Sequence, residues 1–540
     1  MLDVIDLNLV FSDHLLPETV VHHLNLHMEE GDIVGLVGES GSGKSMTALG
    51  VAGLLRRHDL RKTGQILFRG MDLLTCPRSQ LRSLQGNEIG IVFQEPMTSL
   101  NPAYRIGWQV EESLRIHRPE MDKEERRKRA IEMLKAVELD EPERIYASYP
   151  HQISGGQRQR VMIAAAMICE PALLIADEPT TALDVTIQLA IVRLLKKLNR
   201  EKKTAILFIS HDLSLVKRLC DRVVVMKDGR IVEEGEIDEV FYHPKQEYTQ
   251  KLIAAIPDCI HRAEKEDTAD GSEREKEEAG EKEKCVHPDF APILEVEDLN
   301  VSYFQDTGKL FGAKEDLHVL KGVSFSIGEG EVLGLVGESG CGKSTLSRAI
   351  LGLLPRYDGR IQNQAERAQM IFQDPYSSLN PSKKVGWILE EPLKLNTKLG
   401  RTERRRKVAR MLERVGLEEK IAERYPRQLS GGQRQRVCIA ESLMLEPKLL
   451  IADEPVSALD VTIQAQILEL LQEIQKEMGL SILFISHDMR VVYQMSQRVM
   501  VMKDGRIVES GEVDEVYFHP KHPYTKMLLE AADIQAEGEE

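Results

Sequence analysis

The run Gly38-Glu39-Ser40-Gly41-Ser42-Gly43-Lys44-Ser45 sets three glycines, a lysine and a hydroxyl at the spacing G-x-x-x-x-G-K-[ST], behind the apolar stretch Ile33 to Val37. Glycines at these points let successive backbone N–H groups turn toward one anion. The N-terminus of the helix that follows adds its dipole, Lys44 reaches the outer phosphates, and Ser45 can ligate magnesium. Gly337-Glu338-Ser339-Gly340-Cys341-Gly342-Lys343-Ser344 repeats the arrangement, and two loops in equivalent contexts leave little room for a chance glycine turn. Met46 and Thr345 continue the two helices. A thiol at Cys341, beside a helix N-terminus and Lys343, is expected to have thiolate character and to be open to alkylation.

Two pairs of carboxylates stand further along the chain, each at the end of an apolar run: Asp177-Glu178 and Asp453-Glu454. The first member of each pair suits a magnesium or magnesium-water ligand, and the second projects one residue further, where it could polarise an attacking water. Carboxylates that merely cap the next helix would look the same. Their place behind a glycine loop favours the chemical reading.

These residues sit in a chain that repeats itself. ISGGQRQRV from Ile153 returns as LSGGQRQRV from Leu429, and LIADEP, ALDVTIQ, LFISHD, MKDGRIVE and a closing HP...YT recur at the same offset of 276 positions. Upstream the offset grows, so the second copy lacks about twenty residues where the first has Gly64 to Asn87, a stretch expected to be strand-rich and close to the nucleotide. An extra stretch lies near Gln305 to Leu317. Within each copy short aliphatic runs alternate with helical segments, and the polar residues fall at strand ends, where open sheets of this kind place ligands. The fold class is α/β. The expected boundaries are a first domain over 1–257, a linker over 258–291 and a second domain over 292–540. The linker is acidic and almost free of apolar residues; a mobile chain is one reading and a charged single helix is the other.

Ser154-Gly155-Gly156-Gln157 and Ser430-Gly431-Gly432-Gln433 resemble the signature of ATP-binding-cassette (ABC) proteins, and the resemblance extends over both copies. It implies two P-loop NTPase cassettes, each with a RecA-like α/β core, an antiparallel β subdomain and a helical signature subdomain. It also implies that ATP is bound and hydrolysed with magnesium at two composite sites, the signature of one cassette covering the γ-phosphate held by the other. A signature that opens a helix is a second anion site on physical grounds as well. Gln94 and Gln373 resemble the glutamines that sense magnesium and the attacking water. His211 and His487 resemble the histidines that contact the γ-phosphate, and Glu178 and Glu454 the catalytic carboxylates. The metal set implied is Ser45, Gln94 and Asp177, with Ser344, Gln373 and Asp453. Asp184 and Asp460 resemble the loop that couples the two sites. Phe11 and Tyr303 stand where an aromatic commonly stacks on adenine; core packing is the alternative for both.

FQEPMTSLNP from Phe93, FQDPYSSLNP from Phe372, KLFG from Lys309 and the HP...YT ends at Tyr248 and Tyr524 resemble the ATPases of oligopeptide, dipeptide and nickel importers. That family implies two permease subunits and an extracytoplasmic solute-binding protein as partners, and a site of work on the cytoplasmic face of the membrane. A peptide-exporter motor and a ribosome-acting tandem ATPase remain as alternatives. The second loses ground because the linker is acidic and the formal net charge of -16 disfavours a phosphate backbone as partner. No nucleic acid is expected. The seven cysteines are scattered, and only Cys259 and Cys285 lie where some relatives carry an iron-sulfur cluster, so none is expected. No run reaches the ~18 apolar residues of a membrane helix, and the first residues do not read as a signal peptide.

Overall fold

The computed structural model describes residues 1–12, 17–55, 58–94, 99–181, 183–256, 292–305, 315–365, 367–457 and 459–534. The expected linker over 258–291, with Cys259 and Cys285, and the KLFG stretch lie outside the described residues. The chain divides near Ile256 into two compact units.

In the first unit, β3 (Ile33–Val37), β7 (Leu173–Asp177) and β8 (Ala205–Ile209) are buried along their whole length. Near-continuous aliphatic strands of this kind belong in a parallel sheet covered on both faces. They form it with β6 (Ile89–Val92), β9 (Arg222–Lys227) and β10 (Arg230–Glu236) in the order β10-β9-β3-β8-β7-β6, parallel except at the β9/β10 edge. A second, antiparallel sheet runs β2 (Glu18–Met28), β1 (Leu2–Phe11), β4 (Leu60–Phe68), β5 (Met71–Asp72). Strand alternation settles how the sheets meet: Leu173 and Ile175 of β7 enter the core shared with the antiparallel sheet. Leu174 and Ala176 are buried on the opposite face.

The second unit repeats this with β11 (Leu294–Gln305), β12 (Glu315–Ile327) and β14 (Asp358–Asn363) as its antiparallel sheet. Its central order is β15-β16-β17-β13-β18-β19, built from Gln369–Ile371, Leu449–Asp453, Ser481–Ile485, Val332–Val336, Arg498–Lys503 and Arg506–Glu512. The residues missing from this copy correspond in the first to the two-residue strand β5 and the helix Arg78–Leu84. The expectation of a strand-rich region is therefore corrected: the deletion removes one short edge strand and one helix, leaving a three-stranded sheet.

Each unit also carries a helical layer that ends in the signature helix, Gly155–Met167 or Gly431–Leu443. A helix before each signature has a clear N-terminal stop. Asp122 accepts from the N–H groups of Glu124 and Glu125 while Glu125 reaches back to the N–H of Asp122, a reciprocal cap for Lys123–Ala136. Two α/β cores, each with an antiparallel sheet and a helical layer, agree with the fold expected from sequence.

Candidate nucleotide sites

The glycine loop of the first unit joins β3 to the helix Lys44–Val51. Gly38 has φ +148°, and a Cβ there would stand 2.1 Å from the carbonyl oxygen of Met226, so only glycine lets the loop lie against β9. Lys44, 6% exposed, folds back on the loop and donates to the carbonyl oxygens of Gly38 (2.7 Å) and Glu39 (2.9 Å). Burial pushes its ammonium pKa down, with the carboxylates of Glu178 and Asp177 acting the other way. A cation whose hydrogen bonds under an open glycine turn go to loop carbonyls is well suited to exchange them for phosphate oxygens. Lys343 repeats the contacts to Gly337 (2.7 Å) and Glu338 (3.0 Å).

Ser45 donates to Oδ1 of Asp177 at 3.2 Å. Burial raises the Asp177 carboxyl to about 6, Glu178 adds to this, and Ser45 opposes it. Asp453 is raised by burial in the same way, against a hydrogen bond from Ser344. A buried carboxylate and a hydroxyl on adjacent elements make a small hard-oxygen donor set, which fits a magnesium ion completed by phosphate and water. Among the described residues no group of three or more His, Cys, Asp or Glu side chains forms a metal cage of its own.

Glu178 begins the turn after β7 with φ +46°. One oxygen, Oε2, meets three groups: Gln94 Nε2 at 2.8 Å, Thr181 Oγ1 at 2.9 Å and His211 Nδ1 at 3.3 Å. Burial opposes its ionisation, but His211, Thr181 and Lys44 outweigh this and hold the carboxyl down at about 2. Burial likewise disfavours the charged form of His211, and Glu178 and Asp212 raise its pKa on balance. The second unit places Gln373 Nε2 2.8 Å and His487 Nδ1 3.3 Å from Oε2 of Glu454. Here Ser457 donates to the backbone carbonyl of Glu454 at 3.2 Å, so the hydroxyl that holds the first carboxylate has turned away in the second.

In each unit the structure thus gathers the lysine, hydroxyl, Asp-Glu pair, glutamine and histidine that the sequence singled out. Ser154 and Ser430 are N-caps, each accepting from the N–H of the signature glutamine, Gln157 or Gln433, at 3.3 Å. Gly156 allows the signature helix to approach Ile187 closely, and Gly432 does so at Ile463. Asp184 is the N-cap residue of Val185–Lys202, and Asp460 directly precedes Val461–Met478. The two aromatics differ: Phe11 packs against the core of its unit, whereas Tyr303 is 38% exposed. Cys341 is 7% exposed, and its sulfur crowds Gly337. Burial shields this thiol, against the expectation that reagents reach it readily.

Three contacts escaped the residue-type reading: Thr181 on Glu178, and the phenol oxygens of Tyr248 and Tyr524 on their glycine loops. Both tyrosines belong to the repeated HP...YT end, which was the only sequence signal for them.

The profile of the family described as ABC transporter matches residues 21–181 and 320–457. The chain belongs to the ABC transporter family. It is a tandem ATPase subunit of that family, with two ATP-binding cassettes, and ATP hydrolysis is the reaction that powers transport. The C-terminal region described as oligopeptide/dipeptide transporter matches residues 232–291 and 508–539, one copy behind each cassette. The glutathione import ATP-binding protein GsiA of Pectobacterium atrosepticum is 42% identical over 99% of this chain and 90% of its own length. Its counterpart in Escherichia coli O157:H7 is 42% identical over the same shares. Among solved structures, the archaeal ribosome recycling factor aABCE1, in complex with stalk protein aP1, aligns over 94% of this chain and 90% of its own with a TM-score of 0.57 and 21% identity. That likeness is one of fold alone. No helix among the described residues is long and apolar enough to cross a membrane. As an ATP-binding subunit of an ABC transporter, the chain works with membrane permease partners.

Proposed function

We propose that this ABC ATPase drives import of small peptides, with glutathione-like tripeptides and di- or oligopeptides as the substrate class. The observation that carries the reading is the pairing of full-length similarity to glutathione import ATP-binding proteins with an oligopeptide/dipeptide transporter region behind each cassette. The same pairing favours the reading over an exporter motor or a ribosome-acting ATPase. Its partners are two permease subunits and an extracytoplasmic solute-binding protein, and it works at the cytoplasmic face of the cell membrane.

In this reading Gly38 to Ser45 and Gly337 to Ser344 cradle the phosphates of ATP, and Lys44 and Lys343 leave the loop carbonyls for the outer phosphate oxygens. Ser45, Gln94 and Asp177, with Ser344, Gln373 and Asp453, would hold magnesium, which supplies positive charge against the phosphate oxygens. Glu178 and Glu454 orient water and take its proton. A carboxyl held at about 2, chiefly by His211, is a weak base, and Gln94 also occupies its Oε2, so both must give up part of their hold on Glu178 before it can act. The γ-phosphate is a natural competitor for both donors. Following the family, the signature residues Ser154 to Gln157 and Ser430 to Gln433 close over the nucleotide held by the opposite cassette, with Asp184 and Asp460 coupling the two sites. Tyr303 offers an exposed face for adenine; Phe11 does so only by leaving its packing.

The test is transport. A strain lacking this chain should lose energy-dependent uptake of labelled glutathione or labelled dipeptides, and the wild-type chain, but not a Glu178→Gln, Glu454→Gln variant, should restore it. Unchanged uptake of every peptide tried would reject the substrate class.

A further inference from the structure

The backbone N–H of Glu39 donates to the phenol oxygen of Tyr248 at 3.2 Å, and in the second copy the N–H of Glu338 donates to Tyr524 at the same distance. This N–H belongs to the peptide unit whose carbonyl, that of Gly38, accepts from Lys44 at 2.7 Å. In the second unit Lys343 and Tyr524 grip the Gly337–Glu338 peptide in the same way. One peptide plane of each glycine loop is therefore held at both ends, by the loop's own lysine and by a tyrosine from the chain's HP...YT extension.

The tyrosines are themselves fixed. Lys227, the last residue of β9, places its ammonium 4.8 Å from the centroid of the Tyr248 ring, and Lys503, the last residue of β18, stands 4.7 Å from that of Tyr524. The turn leading into each tyrosine is tied to the sheet by a carboxylate. Glu233 of β10 accepts from the N–H groups of Lys245 (2.7 Å) and Gln246 (3.1 Å), and Glu509 of β19 accepts from those of Lys521 (2.7 Å) and His522 (3.1 Å). Such repetition across two units that differ elsewhere in length and packing marks a constructed contact.

We infer that Tyr248 and Tyr524 are positioning residues for nucleotide binding, holding the Gly38–Glu39 and Gly337–Glu338 peptides in place while Lys44 and Lys343 exchange loop carbonyls for phosphate. When the lysine turns to phosphate, the carbonyl end of the peptide loses its clamp. An N–H left without an acceptor in a part-buried loop is costly, and a glycine-flanked peptide is free to rotate to find one. The phenol oxygen removes that freedom. The C-terminal extension thereby sets the ATP affinity of its own cassette. This rests on the two glycine loops being the ATP sites.

The test measures binding of mant-ATP to the full chain, one site at a time. In a Lys343→Ala background, which leaves the first site, Tyr248→Phe should raise the dissociation constant about three- to tenfold, the worth of one hydrogen bond. In a Lys44→Ala background Tyr524→Phe should do the same. Phenylalanine keeps the ring over the lysine, so folding should be preserved. With both lysines intact, the phenylalanine variants should show a raised KM for ATP and a kcat within about twofold of wild type, a split that general loosening of the fold would not produce. Tyr242→Phe, which removes an exposed phenol from the same extension, should leave binding unchanged. Unchanged affinity in Tyr248→Phe and Tyr524→Phe, or equal weakening in Tyr242→Phe, would overturn the inference. Binding that survives Lys44→Ala with Lys343→Ala would instead overturn the assignment of the loops as ATP sites.

Discussion

His211 Nδ1 lies 3.3 Å from Oε2 of Glu178, and His487 repeats the distance to Glu454. The contact joins the end of β8 to the end of β7, adjacent strands whose polar residues fall at the same edge of the sheet. Each partner shifts the other: Glu178 ionises more readily and His211 keeps its proton longer.

That coupling gives nucleotide-free protein a pH signature. Glu178, held below its ordinary 4.5, contributes stability above that value and loses it as the pH falls toward about 2. His211, raised above its ordinary 6.5, contributes fully below 6.5 and loses the contribution as the pH rises through its folded pKa. Both contributions are complete between 4.5 and 6.5. In the presence of chelator and without ATP, the melting temperature should fall between pH 6 and pH 9 in wild type. His211→Gln with His487→Gln should flatten that decline. An equal decline in both proteins would remove the pair as its cause.

Glu178→Gln with Glu454→Gln keeps a side chain of the same size beside Gln94 and Gln373 but removes the base. ATP should still bind, while turnover should drop by at least ~100-fold, the usual contribution of a positioned base. Phosphate release in a coupled assay, set beside mant-ATP binding, separates the two effects. Turnover near the wild-type rate would reject the role given to both glutamates.

The repeat makes most of the site legible in the sequence. Lys44, Asp177, Glu178, Gln94 and His211 fall at the ends of buried strands or in the loop after one, and a parallel α/β sheet brings such ends to one edge whatever the intervening length. What escaped was set by side-chain direction. Nothing in a string distinguishes Thr181, whose hydroxyl reaches the Glu178 carboxylate, from Ser457, whose hydroxyl turns to the Glu454 carbonyl. Nor does HP...YT announce that its tyrosine returns across 209 residues to Glu39. The deleted stretch is less strand-rich than expected because its main strand, β4, has a counterpart in β14 that the second copy retains, so only β5 and the helix Arg78–Leu84 are removed.

Within the glycine loop the structure ranks two substitutions that look alike in sequence. An alanine Cβ at Gly38 would overlap the Met226 carbonyl at 2.1 Å, whereas one at Gly41 would meet nothing within 4 Å and face only the cost of φ +83°. Gly38→Ala should therefore destabilise the first unit by about 3 kcal/mol or more, and Gly41→Ala by about 1 kcal/mol. Denaturant melts of the two variants provide the comparison. Equal losses would mean that the loop can move away from β9 at little cost.

The second signature helix carries a feature the first lacks. Glu441 stands in Gly431–Leu443 at the position Ala165 takes in the first copy, and it faces Glu391 of the helix Val385–Asn396. Burial, and then the like charge of Glu391, raises the Glu441 carboxyl to about 7. An acid whose folded pKa exceeds its ordinary 4.5 binds its proton more tightly in the native state, so stability falls as the pH rises from 4.5 to about 7 and then levels off. The decline should amount to roughly 3 kcal/mol at most, in line with 1.36 kcal/mol per unit. Glu441→Gln retains the shape and cannot ionise, and Glu441→Ala restores the residue of the first copy. Both should match wild type near pH 5 and exceed its stability at pH 8, with the second unit's melting transition moving upward. Variants no more stable than wild type at pH 8 would show that Glu441 finds a neutralising partner or water when it ionises.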